Sequence, residues 1–246
     1  MDRAVFDRMA ALEEVQWWFV ARREILSAVI SRLVKLPDDA RILEAGCGTG
    51  GNLGMLAKFG HIRAFELDAD ARRTAEVKSG IAIAEGSIPD AVPFASEKFD
   101  LIGLFDVLEH IEDDEATLGA LANRLTSDGR IVMTVPAFQW LWSRHDERHH
   151  HFRRYTRAQL ADVAAKAGLH MEYGFYFNTA LFPLAVASRA VKSLFRIEKA
   201  DDTLPAPHVN AALRAVFAAE KHLVGRLSLP VGLSLCAVLT TNPASQ

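Results

Sequence analysis

Residues 41–50 read Arg-Ile-Leu-Glu-Ala-Gly-Cys-Gly-Thr-Gly, a short apolar run that ends on an acid and three alternating glycines. Such a run suits a strand buried on both faces. The glycines let the main chain bend sharply and let a ligand approach without meeting a Cβ. A bend of this kind at the end of a strand, in a chain that goes on to alternate strand and helix patterns, predicts a ligand-binding turn at the carboxyl edge of a parallel sheet.

The alternation is explicit. Strand patterns fall at Arg41–Ala45, Ile62–Glu66, Ile81–Ala84, Phe99–Phe105 and Arg130–Val135, and two more at 170–177 and 233–240. Leu118, Leu121, Ala122 and Leu125 share one helical face, with Asp113 or Asp114 as its cap. Thr156 and Gln159 make a capping box for a helix carrying Leu160, Val163, Ala164 and Ala167, which ends near Gly168. Ile25, Leu26, Val29, Ile30 and Leu33 repeat at helical spacing near the start, and two more helices are expected around 179–196 and 209–227.

Composition narrows the classes of function. Half of the 246 residues are hydrophobic, the mix of a globular chain, and a net charge of -3 gives no general attraction to a nucleic acid backbone. Nucleic acid is therefore not expected as a partner. Cys47 and Cys236 have neither redox nor metal-ligand spacing, and the opening Met1-Asp2-Arg3-Ala4-Val5-Phe6-Asp7 lacks the apolar core of a secretory signal, so the cytoplasm is the expected compartment. The uncharged stretches 173–188 and 227–246 are too short or too punctuated by Pro, Gly and polar residues to span a membrane. Peripheral membrane contact and oligomeric state stay open.

Gly46, Gly48 and Gly51 satisfy G-x-G-x-x-G, so a nicotinamide or flavin enzyme competes at this point. Glu44 tips the balance, because a carboxylate two residues before the first glycine suits a cationic ligand better than a pyrophosphate. Glu66, sixteen residues after Gly50 at the end of the next strand, can accept hydrogen bonds from a ribose diol.

Together with Phe65-Glu66-Leu67-Asp68, Gly86-Ser87-Ile88, the run from Phe99 to His110 and Ser127-Asp128-Gly129-Arg130, the bend resembles the ordered motifs of class I S-adenosylmethionine-dependent methyltransferases, over roughly residues 40–136. The resemblance implies an α/β, Rossmann-like, doubly wound seven-stranded sheet, mostly parallel with an antiparallel strand. N-terminal helices and a helical insertion complete it. It implies one domain over 1–246: an N-terminal helical cap (1–38), a cofactor-binding core (39–178), a helical insertion or lid (179–232), and the last strand and tail (233–246). S-adenosylmethionine would be the cofactor and S-adenosylhomocysteine its product. Glu44, Gly46, Cys47, Gly48 and Gly50 would surround the methionine part, Glu66 the ribose, and Leu67, Ser87 and Ile88 the adenine, with Phe105 and Asp106 beside them. Ser87 departs from the Asp the family often carries there.

Twenty residues, 136–155, separate the fifth strand from the next helix, long enough to suggest contact with substrate. His145-Asp146 and His151-Phe152-Arg153-Arg154-Tyr155 in this loop, with Gln16-Trp17-Trp18-Phe19 and Arg22 near the start, resemble a bacterial subgroup of the same family. Two readings of Trp18 and Arg22 compete: core packing, or closure over the cofactor with Arg22 on its carboxylate. Methyl transfer to a hydroxyl or amine needs a base, so His110, His145 and His151 are candidates, with Asp146 orienting an imidazole. Adjacent histidines point apart and lack Cys partners, so no metal is expected. The acceptor is expected to be a small molecule, an apolar one among the options, methylated at oxygen, nitrogen or sulfur. An NAD(P)-dependent oxidoreductase and a non-catalytic binding protein are the alternatives.

Overall fold

The computed structural model describes residues 3–195 and 204–241. Seven strands, β1 (Arg41–Ala45), β2 (His61–Glu66), β3 (Ile83–Glu85), β4 (Phe99–Phe105), β5 (Leu125–Pro136), β6 (His170–Phe177) and β7 (Ser234–Thr240), form one sheet in the order β3-β2-β1-β4-β5-β7-β6. All neighbours are parallel except β7, which runs antiparallel to both β5 and β6. The chain leaves β1 for β2 on one side and returns to β4 on the other, and the crevice made by that reversal opens at the carboxyl ends of the strands.

Both faces are covered, which is why the central strands are apolar throughout rather than alternating. On one face α5 (Asp114–Ala122) and α7 (Arg157–Lys166) lay Leu118, Leu121, Leu160 and Ala164 over Leu43, Ile102, Ile131 and Leu239. Asp113 caps α5, and Thr156 and Gln159 close the expected box at α7. On the other face α2 (Trp17–Leu33) packs Ala21, Ile25, Leu26, Val29 and Ile30 onto Ile42, Leu101, Val132 and Val238. The short α3 (Leu53–Leu56) follows the glycine bend, and α4 (Ala69–Ser79) buries Ala71 and Ala75 at the β2–β3 edge. Among the described residues, no helix is long and apolar enough to cross a membrane.

Two expectations change. Leu125 is not the end of a helical face. The helix stops at Ala122, Leu125 pairs with Phe99 in a β5 longer than the expected 130–135, and an irregularity between Phe99 and Leu101 restores the register. The second helix of the insertion, α9 (Pro207–Ala218), is no free lid: it packs along α2, with Phe217 fully buried between Trp17 and Phe177. Asn210 accepts from the Trp17 N–H, and Glu24 pairs with Arg214 and Lys221. Phe217→Ala should therefore cost about 3–5 kcal/mol in urea unfolding. A detachable lid would lose almost nothing.

Candidate functional site

One cavity of about 980 Å³ runs along the carboxyl edge of the sheet. It begins at Leu67, after β2, and ends at Asn178, after β6. These ends lie five strand spacings apart, roughly 24 Å at ~4.8 Å per spacing.

The β1 and β2 end is built from the glycine bend. Gly46, Gly48 and Gly50 have φ of 69°, 54° and 85°, the left-handed region that disfavours side chains. Gly46, Cys47 and Gly48 line the cavity, while Gly50 faces the protein, where a Cβ would press on Ala75. The Glu66 carboxylate accepts from Gly48 N at 2.8 Å, Leu67 N at 2.9 Å and Asp68 N at 3.0 Å. With about four acceptor positions on a carboxylate, roughly one stays open, fewer than two simultaneous bonds to a diol would need. Glu44 lies behind the bend and is 1% exposed. Its Oε1 accepts from Asn52 at 2.8 Å, and its Oε2 has no partner among the described residues. Burial pushes this carboxyl up to about 8, against the hydrogen bond from Asn52 and the charge of Arg22. Cys47 beside it is an inert buried thiol, its pKa raised by burial and then by Glu44. Leu67, Ser87 and Ile88 line the same end of the cavity.

The N-terminal helices close this end. Trp18 lies on the cavity wall with the Arg22 guanidinium 5.0 Å from its ring centroid, and Phe105 is 5.8 Å from the same cation. Arg22 Nη2 meets Asp106 at 2.8 Å and Thr134 at 3.4 Å, and its buried Nε has no partner among the described residues. Asp106 ends β4 at φ 54°. From α1 (Arg3–Leu12), the chain turns so that Glu13 reaches Thr49 at 3.0 Å and also meets Lys78.

The middle of the cavity holds the histidines. Segment 136–155 is folded rather than loose: a 3-10 turn at Gln139–Leu141 and α6 (Arg144–Arg148) are clasped by a bridge between Ala137 and Tyr155. Its centre is Asp146, fully buried, which accepts from Arg154 Nε at 2.7 Å and Nη2 at 2.9 Å, from Ser143 N and Oγ, and meets His151 Nδ1 at 2.9 Å. Burial works to raise the Asp146 pKa, but the hydrogen bonds from His151 and Arg154 outweigh it and hold the carboxyl well below the usual range. His151 stands edge-on to His110 at a centroid distance of 4.6 Å. Burial, then the neighbouring His151 and His149, drive His110 down to about 3. His145 stacks on His149 at 4.0 Å.

Two cavity residues were not singled out as site residues from the sequence. Glu109 is 1% exposed with Oε2 unpartnered, and burial followed by the charge of Asp106 raises its pKa well above the carboxylate range. It is the Glu of the Asp-Val-Leu-Glu-His stretch, so the motif held the signal. Asn178, 1% exposed with Oδ1 unpartnered, had no motif around it. Donor atoms of Glu109, His110 and His151 all lie within 4.8 Å of one another, a grouping that consecutive histidines alone did not suggest.

Comparison with known proteins places this geometry. Residues 19–173, more than half of the chain, match a family described as a methyltransferase domain. An uncharacterized protein of Synechococcus sp. is 35% identical over 107 residues, 39% of this chain and 25% of that protein, so the matched part spans about a quarter of that relative's length. A candidate methyltransferase in complex with the Haloferax volcanii Trm112 methyltransferase activator aligns at 16% identity and TM-score 0.62, over 99% of this chain and 96% of that one. A TehB-like SAM-dependent methyltransferase of Corynebacterium glutamicum aligns at 21% identity and TM-score 0.53, over 89% and 88%. Magnesium protoporphyrin IX methyltransferase of Synechocystis, with bound SAH, aligns at 15% identity and TM-score 0.50, over 63% and 77%. At these identities the structures speak for the fold, while the family match covers the bend, β4 and the Asp146 segment alike. The chain belongs to the methyltransferase-domain family and has the class I S-adenosylmethionine-dependent methyltransferase fold.

Proposed function

We propose that this chain transfers a methyl group from S-adenosylmethionine to a small-molecule acceptor, with His151 taking the acceptor's proton. The observation that carries this reading is the buried Asp146 carboxylate on His151 Nδ1, which leaves Nε2 of a cavity-lining imidazole as the proton acceptor. His110, pushed down to about 3, is a weak base near neutral pH.

Bound S-adenosylmethionine supplies an electrophilic methyl on a sulfonium that leaves as a neutral sulfide. The chain's own task is to position and to move one proton. The glycine bend and Glu66 would hold the methionine and ribose parts, Leu67, Ser87 and Ile88 the adenine, and Phe105 and the Arg22–Asp106 pair the floor beneath Trp18. The residues fit a cationic ligand: the unpartnered Oε2 of Glu44 sits directly behind the bend. His151 Nε2 receives the proton, and Asp146 stabilises the imidazolium so formed.

Calorimetry should show S-adenosylmethionine and S-adenosylhomocysteine binding; affinity for NAD(P) alone would overturn the reading. His151→Gln should lower labelled-methyl transfer into a small-molecule extract by about 10²–10⁴-fold. An unchanged rate would remove His151 from the chemistry. A proton linkage follows as well. Glu44 is protonated below about 8 in the free protein, and a nearby cation favours its ionised form. Binding of S-adenosylmethionine at pH 6.5 should therefore release a proton and tighten as pH rises toward 8. Glu44→Gln should abolish both effects, measured by titration in buffers of different ionisation enthalpy.

A further inference from the structure

The cavity is longer than a cofactor site on β1, β2 and β4 requires. Its far half lies over the ends of β5, β7 and β6, where Pro136, Leu233 and Ala185 of α8 (Phe182–Phe195) supply apolar wall. The guanidinium in this half is already engaged, since Arg154 grips Asp146 through both Nε and Nη2 and donates to the Ala137 carbonyl. Asp146 is saturated in turn, and burial and Asp106 favour the neutral form of the open Glu109 carboxyl, so an ammonium would find no free negative charge.

What remains open is hydrogen-bonding capacity. Asn178 Oδ1 and Glu109 Oε2 are buried without partners, and His151 has only Nδ1 committed to Asp146. Asn178 Oδ1 and His151 Nε2 accept, while the Glu109 carboxyl, whose protonated form burial and Asp106 favour, both donates and accepts, and buried polar atoms left open among the described residues are exceptions that call for a ligand or water. Asn178 is also held in place at some expense of backbone freedom. It sits at φ 58°, and the Glu220 carboxylate accepts from Asn178 N at 2.7 Å, Thr179 N at 2.8 Å and Ala180 N at 2.9 Å. Three main-chain N–H groups on one buried carboxylate fix the backbone from which the Asn178 side chain projects.

Resting on the proposed methyl transfer, we infer that the acceptor is an uncharged molecule with neighbouring hydroxyls, a polyol or sugar head, bound by His151, Glu109 and Asn178. One hydroxyl faces His151 Nε2. Its oxygen forms the new bond to the methyl carbon as the carbon–sulfur bond breaks, the bonding pair leaves on sulfur, and the hydroxyl proton moves to Nε2. A second hydroxyl meets Glu109, one carboxyl oxygen of which lies within 4.8 Å of a ring nitrogen of His151, within reach of a polyol that carries adjacent hydroxyls. Asn178, on the wall of the same cavity after β6, takes a donor elsewhere on the molecule.

The test uses the full chain saturated with S-adenosylhomocysteine and four probes of matched aromatic tail: 4-nitrophenyl β-glucoside, 4-nitrobenzylamine, 4-nitrobenzoate and 4-nitrophenyl phosphate. Saturation-transfer NMR should rank the glucoside first. Glu109→Leu and Asn178→Gly, the latter tolerant of the left-handed backbone, should each weaken it roughly three- to tenfold, the loss of one hydrogen bond. No preference for the glucoside, or equal binding by both variants with unchanged melting temperatures, overturns the inference. So does glucoside binding that requires added Mg²⁺ or Zn²⁺ and disappears with EDTA, because Glu109, His110 and His151 would then be metal ligands. Affinity of the unaltered protein for S-adenosylhomocysteine is a separate readout. Its absence sinks the methyl-transfer reading itself, whereas its presence with no glucoside preference sinks only the acceptor class.

Discussion

Where parallel strands end, the main chain leaves its ladder and its N–H groups lose their partners, and in this protein buried carboxylates take them up. Glu66 collects those of Gly48, Leu67 and Asp68, and Glu220 those of Asn178, Thr179 and Ala180. Asp146 does the same for Ser143 while gripping Arg154. Each acid thereby fixes an irregular segment at the edge of the sheet that would otherwise have to remain hydrated. The bend, the start of the 179–232 segment and the histidine segment owe their shapes to these three groups, and the cavity is the space between them.

Against that satisfied framework the unsatisfied atoms gain meaning. Glu44 Oε2, Glu109 Oε2 and Asn178 Oδ1 lie in the same layer of structure and have nothing to bond. Arg22 shows the other solution, a cation set between Trp18 and Phe105 and paired with Asp106, which anchors α2 to the end of β4. Such a buried pair adds little net stability but is costly to break on one side. Closure over the bend has its own condition: a Cβ on Gly51 would stand 2.2 Å from the Glu13 carboxylate.

The sheet was legible because its order is written in local patterns. Apolar runs bounded by turns gave all seven strands, and the Thr156–Gln159 box gave the start of α7 to the residue. Leu125 misled because its spacing from Leu118 and Leu121 fits a helix, while its place in the strand is set by Phe99, twenty-six residues upstream. The α9 helix read as a lid for the same reason: an amphipathic stripe says that a face is covered but not that α2, nearly two hundred residues away, covers it. In the site, Asp146 and His151 are five residues apart, so their pairing was within reach of sequence reasoning. Asn178 depends on Glu220, forty-two residues on, and the engagement of Arg22 by Asp106 joins the N-terminal cap to the end of β4. Glu44, read from sequence as facing the ligand, stands buried behind the bend rather than on the cavity wall, a placement no local pattern gives.

The placement of these acids bears on how the proposed reaction is driven. Before transfer the positive charge sits on the sulfonium, at the end of the cavity that holds Glu44 and Glu66. After transfer, with the acceptor's proton on His151, it sits on an imidazolium against Asp146. In the proposed reaction, methyl transfer would move one positive charge along the carboxyl edge, from beside Glu66 to beside Asp146. A group whose pKa is raised, as Glu44 is, loses its hold on its own charge once the cation departs, whereas Asp146 stays ionised because Arg154 and Ser143 keep it so. The fixed acid lies at the product end and the acid able to regain a proton at the reactant end. That asymmetry favours charge migration toward His151, and it arises from packing that is in place before any ligand binds.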